Sequence, residues 1–155
     1  MFANFTIKLS PFTSNKSHYK YTRNLTSEAR KYREEFWRQL NSGANLKALN
    51  RIKNSFDEEC MQIHVKYNFH IERNKFFTKS GRISARSPDL DNCIKLIQDF
   101  LFNTRYGEKH LVKLGYSNIG IDDRFITNIE MKKAPTNADA FIETAVEYHP
   151  LKFKD

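Results

Sequence analysis

The segment 61–71 constrains the fold of this chain more than any other, because polar and apolar residues alternate strictly along it. Every odd position from Met61 to Ile71 is apolar and every even position is polar. Successive side chains of a β-strand point to opposite faces, so this pattern predicts a long strand with one buried and one solvent-facing side. His64 and His70 fall on the polar side, and we interpret them as solvated strand residues rather than metal ligands.

Weaker patterns predict the other elements, some with helical spacing and some with alternation. Thr26 or Ser27 can cap a helix that ends near Gly43, and Asp89 can cap a second helix that reaches about Asn103. The remaining elements are a weakly helical segment and three strands, predicted at 45–59, 2–9, 125–133 and 141–148.

The composition is that of a globular protein, with 39% hydrophobic and 28% charged residues among 155. Without repeats or low-complexity tracts, we predict one domain over residues 1–155. No apolar run approaches the roughly 20 residues of a membrane span, and the N-terminus lacks the pattern of a signal peptide. We therefore expect a cytoplasmic protein without a membrane partner. Cys60 and Cys93 have no metal-ligand or disulfide spacing, and we interpret both as packing residues.

The charge balance favours a polyanionic partner, because 26 Lys and Arg against 18 Asp and Glu give a net charge of +8. The cations are concentrated in a loop predicted at 72–87, where they surround Phe76 and Phe77. These cations are Arg73, Lys75, Lys79, Arg82 and Arg86. Such a mixture favours phosphate contact and base stacking, although a solvated loop is the alternative.

Acidic residues follow this basic loop directly. Asp89 and Asp91 lie two residues apart at a predicted loop-to-helix junction, which can bring their carboxylates together. Lys95 lies one helical turn beyond Asp91. A purely structural interpretation stays open, with Asp89 as the helix cap and Asp91 paired to Lys95.

A second acidic pair, Asp122 and Asp123, follows a short apolar run. Adjacent carboxylates repel each other unless a cation or water separates them, although a surface turn is the alternative. The two acidic pairs together offer the oxygen ligands that Mg²⁺ and Mn²⁺ prefer. Two such ions can stabilise the attacking and leaving oxygens of phosphodiester cleavage.

These residues occur in an order that resembles the RusA family of Holliday junction resolvases, which is common in phages and prophages. The resemblance rests on Pro-Asp-Leu-Asp-Asn at 88–92, followed by Lys95, by Asp-Phe-Leu at 99–101 and by Asp-Asp-Arg-Phe-Ile at 122–126. It extends to Ser-Asn-Lys at 14–16, Tyr19 and the segment 27–33. It therefore covers most of the chain.

The resemblance implies an α+β fold, a mixed β-sheet with helices packed on it. It also implies a homodimeric, Mg²⁺-dependent endonuclease that makes paired nicks across a four-way DNA junction, with Mn²⁺ as a substitute ion. Asp89, Asp91 and Asp123 match the family's essential acids, and Lys95 matches its essential lysine. Asn92 and Asp122 also align, Asp122 as a further metal ligand and Asn92 as a DNA contact. The segments 42–59, 72–87 and 104–118 are longer than in the short form of the family, which bears on junction contacts.

Our hypothesis from the sequence is metal-assisted hydrolysis of branched DNA in recombination and repair, without a small-molecule cofactor. The residues expected to contact DNA are Lys16, Arg23, Arg73, Lys75, Lys79, Arg82, Arg86 and Asn92. One alternative is a non-catalytic DNA-binding protein in which the aspartates serve caps and salt bridges. Another is a structural or interaction module of a phage, in which the positive charge serves solubility alone.

Overall fold

A computed structural model describes residues 1–13, 25–106 and 109–152, without the side chain of Tyr106. Within this part of the chain, four strands and five helices form, in agreement with the predicted α+β class. The strands are β1 (Phe2–Ile7), β2 (Met61–Glu72), β3 (Ile126–Thr136) and β4 (Phe141–Pro150). The helices are α1 (Ser27–Leu40), α2 (Gly43–Lys53), α3 (Arg73–Phe76), α4 (Leu90–Phe102) and α5 (Lys109–Lys113).

The four strands form one mixed sheet in the order β1-β4-β2-β3. β4 is antiparallel to both β1 and β2, whereas β3 runs parallel to β2. A parallel pair needs a long crossover connection. Here the connection from β2 to β3 contains α4. The helix that begins at the first acidic pair is therefore part of the crossover between two neighbouring parallel strands.

The alternation at 61–71 is confirmed as β2, which lies inside the sheet between β4 and β3. Its odd positions from Ile63 to Ile71 are all buried. Its even positions are half-buried or exposed, and these include His64 and His70. The sheet therefore has one face against the core and one polar face.

Helices supply the second layer of the core. Thr26 caps α1, its hydroxyl oxygen accepting a hydrogen bond from the amide of Ala29 at 3.2 Å. Phe36 on α1 packs against Phe100 on α4 with 5.9 Å between the ring centroids, and both are buried. Burial of large aromatic rings dominates core energetics, so this contact packs α1 against α4.

The helical layer leaves part of β3 uncovered. The register places Ile129 opposite Val65 and Met131 opposite Tyr67, on the core-facing side of the sheet. Ile129 and Met131 are nevertheless 40% and 37% exposed. The outer edge of the sheet thus presents apolar side chains next to the helical layer.

Some local predictions need correction. The segment 72–87 is not entirely a loop, because α3 begins it and a β-bridge joins Phe77 to Ile83. The weak helical pattern at 45–59 corresponds to a shorter helix, α2, which begins earlier and ends at Lys53. Cys93 is buried as expected, but Cys60 is exposed and is not a packing residue.

Two of the predicted DNA contacts, Lys16 and Arg23, lie outside the described residues, as do 14–16 and Tyr19. In the part of the chain that the structure describes, no helix has the length and apolar character needed to cross a membrane.

Candidate active site

The first acidic pair, Asp89 and Asp91, lies at the N-terminal end of α4. Asp89 occupies the cap position in an extended conformation, as its place after Pro88 predicts. Its carboxylate, however, makes no capping hydrogen bond. Both carboxylates are on exposed residues at the helix end where the macrodipole favours negative charge. The cap interpretation therefore explains the position of Asp89 but leaves its carboxylate oxygens available to a ligand.

Lys95 is exposed and lies one turn after Asp91. Among the residues that the structure describes, no ion pair joins Asp91 to Lys95. The structural alternative for this motif, a salt bridge along the helix surface, is thus not observed. Asn92, which follows Asp91 in the sequence, is half-buried.

Lys133 on β3 holds the chain just before the acidic pair. Its ammonium group donates to the Ser87 hydroxyl and to the Pro88 carbonyl, both at 2.9 Å, and lies 5.8 Å from the centroid of the Phe76 ring. These contacts fix the approach to α4. We did not identify Lys133 from the sequence, although a lysine on the apolar side of the predicted strand at 125–133 was a usable signal.

The pKa of the buried Cys93 thiol depends on the charged groups near this end of α4. Burial raises its pKa to about 11, while Lys133 lowers the pKa and Asp89 and Asp91 raise it further. Two acids and one lysine therefore act on the same buried group. This end of α4 brings together Asp89, Asp91 and Lys133.

The second acidic pair, Asp122 and Asp123, occupies a 3₁₀ turn at Asp123–Phe125. The Asp122 carboxylate accepts a hydrogen bond from the amide of Arg124 at 2.9 Å, so Asp122 caps this turn. Asp123 is exposed. Asp122 therefore has the structural role that a surface turn predicts, whereas the Asp123 carboxylate has no such bond among the described residues.

The second pair lies at the C-terminal end of α4. Asn118 donates to the carbonyl of Phe100 at 3.0 Å, and the Ile119 amide donates to the carbonyl of Leu101 at 2.9 Å. Gly120 has a positive φ of 68° and approaches the residues that follow α4 so closely that a Cβ would lie 3.3 Å from the Thr104 methyl group. A cavity of about 230 Å³ lies between the end of α4 and the turn, lined by residues 102–104 and 120–123.

The fold therefore separates the two acidic pairs within one chain. Asp91 and Phe102 are eleven residues apart on α4, which corresponds to about 16 Å along the helix axis. Strand β3 gives a second estimate of the distance between the two acidic pairs. Lys133 on β3 contacts Pro88, next to the first pair, whereas Asp123 lies just before the other end of the strand, which begins at Ile126. The seven residue steps from Ile126 to Lys133 span about 23 Å. One chain does not bring Asp123 to the acidic pair at Asp89 and Asp91.

The basic segment, residues 73–86, adjoins the first acidic pair. The Arg73 guanidinium donates to the Asn137 side chain at 2.9 Å and lies 5.5 Å from the Phe77 ring centroid. Lys75 pairs with Glu72 at 3.7 Å. A groove of about 730 Å³ is lined by Arg73, Asn74, Phe77, Thr78, Lys79 and Gly81. Lys79, Arg82 and Arg86 are exposed.

The two phenylalanines of this segment differ in role. Phe76 is buried, 7% exposed, and belongs to the core. Phe77 packs edge-on against it, with 4.8 Å between centroids, and is half-buried where it lines the groove. Phe76 is therefore a packing residue, and Phe77 is the aromatic surface of the basic segment.

Comparison with protein families matches residues 9–145 to the family model of endodeoxyribonuclease RusA. The chain belongs to the RusA endodeoxyribonuclease family. No curated protein matches the sequence. The matched range contains both acidic pairs, Lys95 and the basic segment, and the four-stranded mixed sheet with its helices agrees with the expected RusA fold. Membership identifies the protein as a nuclease that acts on DNA junctions.

The residues of this RusA member suit a hard divalent cation. Asp89 and Asp91 offer carboxylate oxygens on exposed residues, and neither carboxylate has a capping bond or ion pair within the described ranges. Mg²⁺ is usually held by one or two carboxylates, keeps several waters and gains phosphate oxygens from the substrate. The donor set at the start of α4 fits that chemistry.

Proposed function

We propose that the chain is a metal-dependent endodeoxyribonuclease that resolves four-way DNA junctions by paired symmetric nicks, in the cytoplasm during recombination or repair. Mg²⁺ is the proposed ion and Mn²⁺ a substitute. The observation that carries the proposal is the acidic pair of Asp89 and Asp91, which directly follows the basic segment in the chain and whose carboxylates make no capping bond or ion pair among the described residues. The structural alternative, a helix cap and a salt bridge, has less support, because Asp89 occupies the cap position without a capping hydrogen bond and no ion pair joins Asp91 to Lys95 among the described residues.

Asp89 and Asp91 would hold the ion, with Asp123 completing the ligand set. What such an ion supplies is an activated water and neutralisation of the phosphate charge. Lys95, exposed one turn from Asp91, is placed to stabilise the negative charge that develops on the phosphate or on the leaving oxygen. Lys133 positions the acidic pair through Ser87 and Pro88 rather than by contact with the substrate.

A homodimer is part of the proposal for two reasons. A four-way junction with two-fold symmetry requires two active sites in matching orientation. In addition, Asp123 lies too far from Asp91 within one chain, so a second copy has to supply it. Ile129 and Met131, exposed on edge strand β3, offer an apolar surface for that contact.

Cleavage of a labelled four-way junction tests this function. We expect symmetric nicks on two opposing strands in Mg²⁺, no cleavage in EDTA, and little cleavage of a linear duplex of the same sequence. Tight junction binding without nicks in either Mg²⁺ or Mn²⁺ would contradict the proposal and favour a non-catalytic DNA-binding protein.

The basic segment should carry much of the affinity for DNA. Each phosphate contact releases counterions, so its loss weakens binding and reduces the salt dependence. We expect the double variant Lys79→Gln and Arg82→Gln to reduce the slope of log affinity against log salt by about 2. Fluorescence anisotropy over a salt series measures this slope.

The matched control removes the same charge elsewhere, with Lys31→Gln and Lys47→Gln on exposed positions of α1 and α2. If both double variants change the slope equally, the effect is one of net charge, and the basic segment is not the contact surface.

A further inference from the structure

The polar face of the sheet carries a cluster that the acidic site does not use. It consists of His64 on β2 and of Glu147 and His149 on β4, here called the His–Glu cluster. The antiparallel register places His64 directly opposite Glu147. His149 lies two residues further along β4, and residues two apart share a face.

The three side chains converge closely. One ligand atom from each lies within 4.8 Å of the other two. The His149 ring nitrogen is 3.0 Å from a Glu147 carboxylate oxygen, and the rings of His64 and His149 stack with 4.0 Å between centroids. All three residues are half-buried, so the cluster is supported by the sheet and accessible to solvent.

We propose that His64, Glu147 and His149 bind one transition-metal cation of the Zn²⁺ class. Imidazole nitrogens suit Zn²⁺, Ni²⁺ and Cu²⁺, whereas Mg²⁺ prefers oxygen ligands alone. Three protein ligands and one solvent position are a common arrangement for Zn²⁺. The His–Glu cluster is therefore a site distinct in chemistry from Asp89 and Asp91.

Binding requires only small movements. A tetrahedral ion with bonds of about 2.0–2.1 Å holds its ligand atoms roughly 3.3 Å apart. The ligand atoms lie within 4.8 Å of one another, so side-chain rotation would have to shorten each spacing by at most about 1.5 Å, while strand pairing keeps the backbones of β2 and β4 in place. The other charged groups that act on His64 are Lys66 on β2 and Glu130 on β3, and they oppose each other in sign.

An ion at this position would join β4 to β2, the two inner strands of the sheet. A ligand that binds the folded chain alone stabilises it by mass action. The bound ion therefore raises the unfolding temperature, independently of whether the chain cleaves DNA.

Isothermal titration of the metal-free full chain with ZnCl₂ tests the proposal. The background is Cys60→Ser, because the exposed Cys60 thiol can also bind Zn²⁺. We expect one Zn²⁺ per chain, with a rise in the unfolding temperature at excess Zn²⁺. His64→Gln and His149→Gln should each weaken binding by at least about 100-fold, since even a group that only orients a metal ligand is worth about 10–100-fold.

The matched control is His70→Gln. His70 lies on the same strand and face and pairs with Glu143, but the described residues offer it no second histidine. In the Cys60→Ser background, here called the parent, His70→Gln should leave the affinity for Zn²⁺ unchanged. Equal affinity of the parent and His64→Gln, or no binding to a folded parent at about 100 μM Zn²⁺, would overturn the proposal. Binding that is lost in Asp91→Asn and kept in His64→Gln would assign the ion to the acidic pair and also overturn it.

Discussion

Asp91→Asn will abolish junction cleavage while leaving the fold and the affinity for DNA intact. The substitution keeps the size of the side chain but removes one of the two exposed carboxylates at the start of α4. Changes in groups that only orient metal ligands cost about 10–100-fold, so loss of a ligand should reduce the nicking rate by at least about 100-fold. Because the lost charge would repel phosphates, the affinity for a junction should stay equal or increase.

The fold of this variant should be nearly unchanged. Asp91 makes no ion pair with Lys95 in the described part of the chain, so no salt bridge there is broken. The one expected cost is the loss of a favourable interaction between the Asp91 charge and the dipole of α4. This loss should lower the unfolding temperature by about 2–4 °C at most. Thermal unfolding and anisotropy on the same preparation separate loss of chemistry from loss of structure.

Glu58→Gln is the matched control, since it also converts an exposed acid to its amide. It should cleave like the wild type. A folded Asp91→Asn variant that binds the junction and nicks it at the wild-type rate would remove Asp91 from the proposed site.

Mixing two inactive variants will restore part of the activity if two chains share each site. In a mixed dimer of Asp91→Asn and Asp123→Asn, one site contains both substitutions and the other contains neither. An equal mixture forms mixed dimers in half of the cases, so about a quarter of the sites are intact. We expect this recovery because Asp91 and Asp123 lie near opposite ends of α4, so that two chains have to share each site.

The measurement is the nicking rate after the two variants are co-refolded or co-expressed. Each intact site should give single nicks rather than paired ones, because its dimer has only one. If the mixture stays as inactive as either variant alone while exchange of subunits is verified, the shared-site arrangement is wrong. Recovery would not occur for a site built within one chain, because every chain would lack one acid.

Local sequence patterns predicted the elements well where one periodicity dominates. The alternation at 61–71 requires only that one face of a strand be buried, and β2 satisfies it. Pro88 and Asp89 likewise determine where α4 begins, since proline excludes helical geometry from the residue before it. The structure of the basic segment was harder to predict from the sequence. It consists of the four-residue helix α3, which buries Phe76, and of one β-bridge, and neither shows a repeating pattern of apolar residues.

The acidic motif itself could be read from the sequence, because its residues are neighbours along the chain and match a family pattern. Which groups surround it could not. Lys133 lies about 45 residues from Ser87 and Pro88 in the sequence, and it reaches them from β3, which is paired with β2 in the sheet.

Patterns of neighbouring residues were thus enough to predict most elements, the basic charge and the acidic residues of the candidate site, since these depend on neighbours within a few positions. Tertiary structure places Asp122 and Asp123 at the far end of α4 from Asp89 and Asp91. It also decided that His64 meets Glu147 and His149, although His64 was interpreted from the sequence as a solvated strand residue. Both results depend on strand order and register, which bring together residues far apart in the chain and which no local pattern encodes.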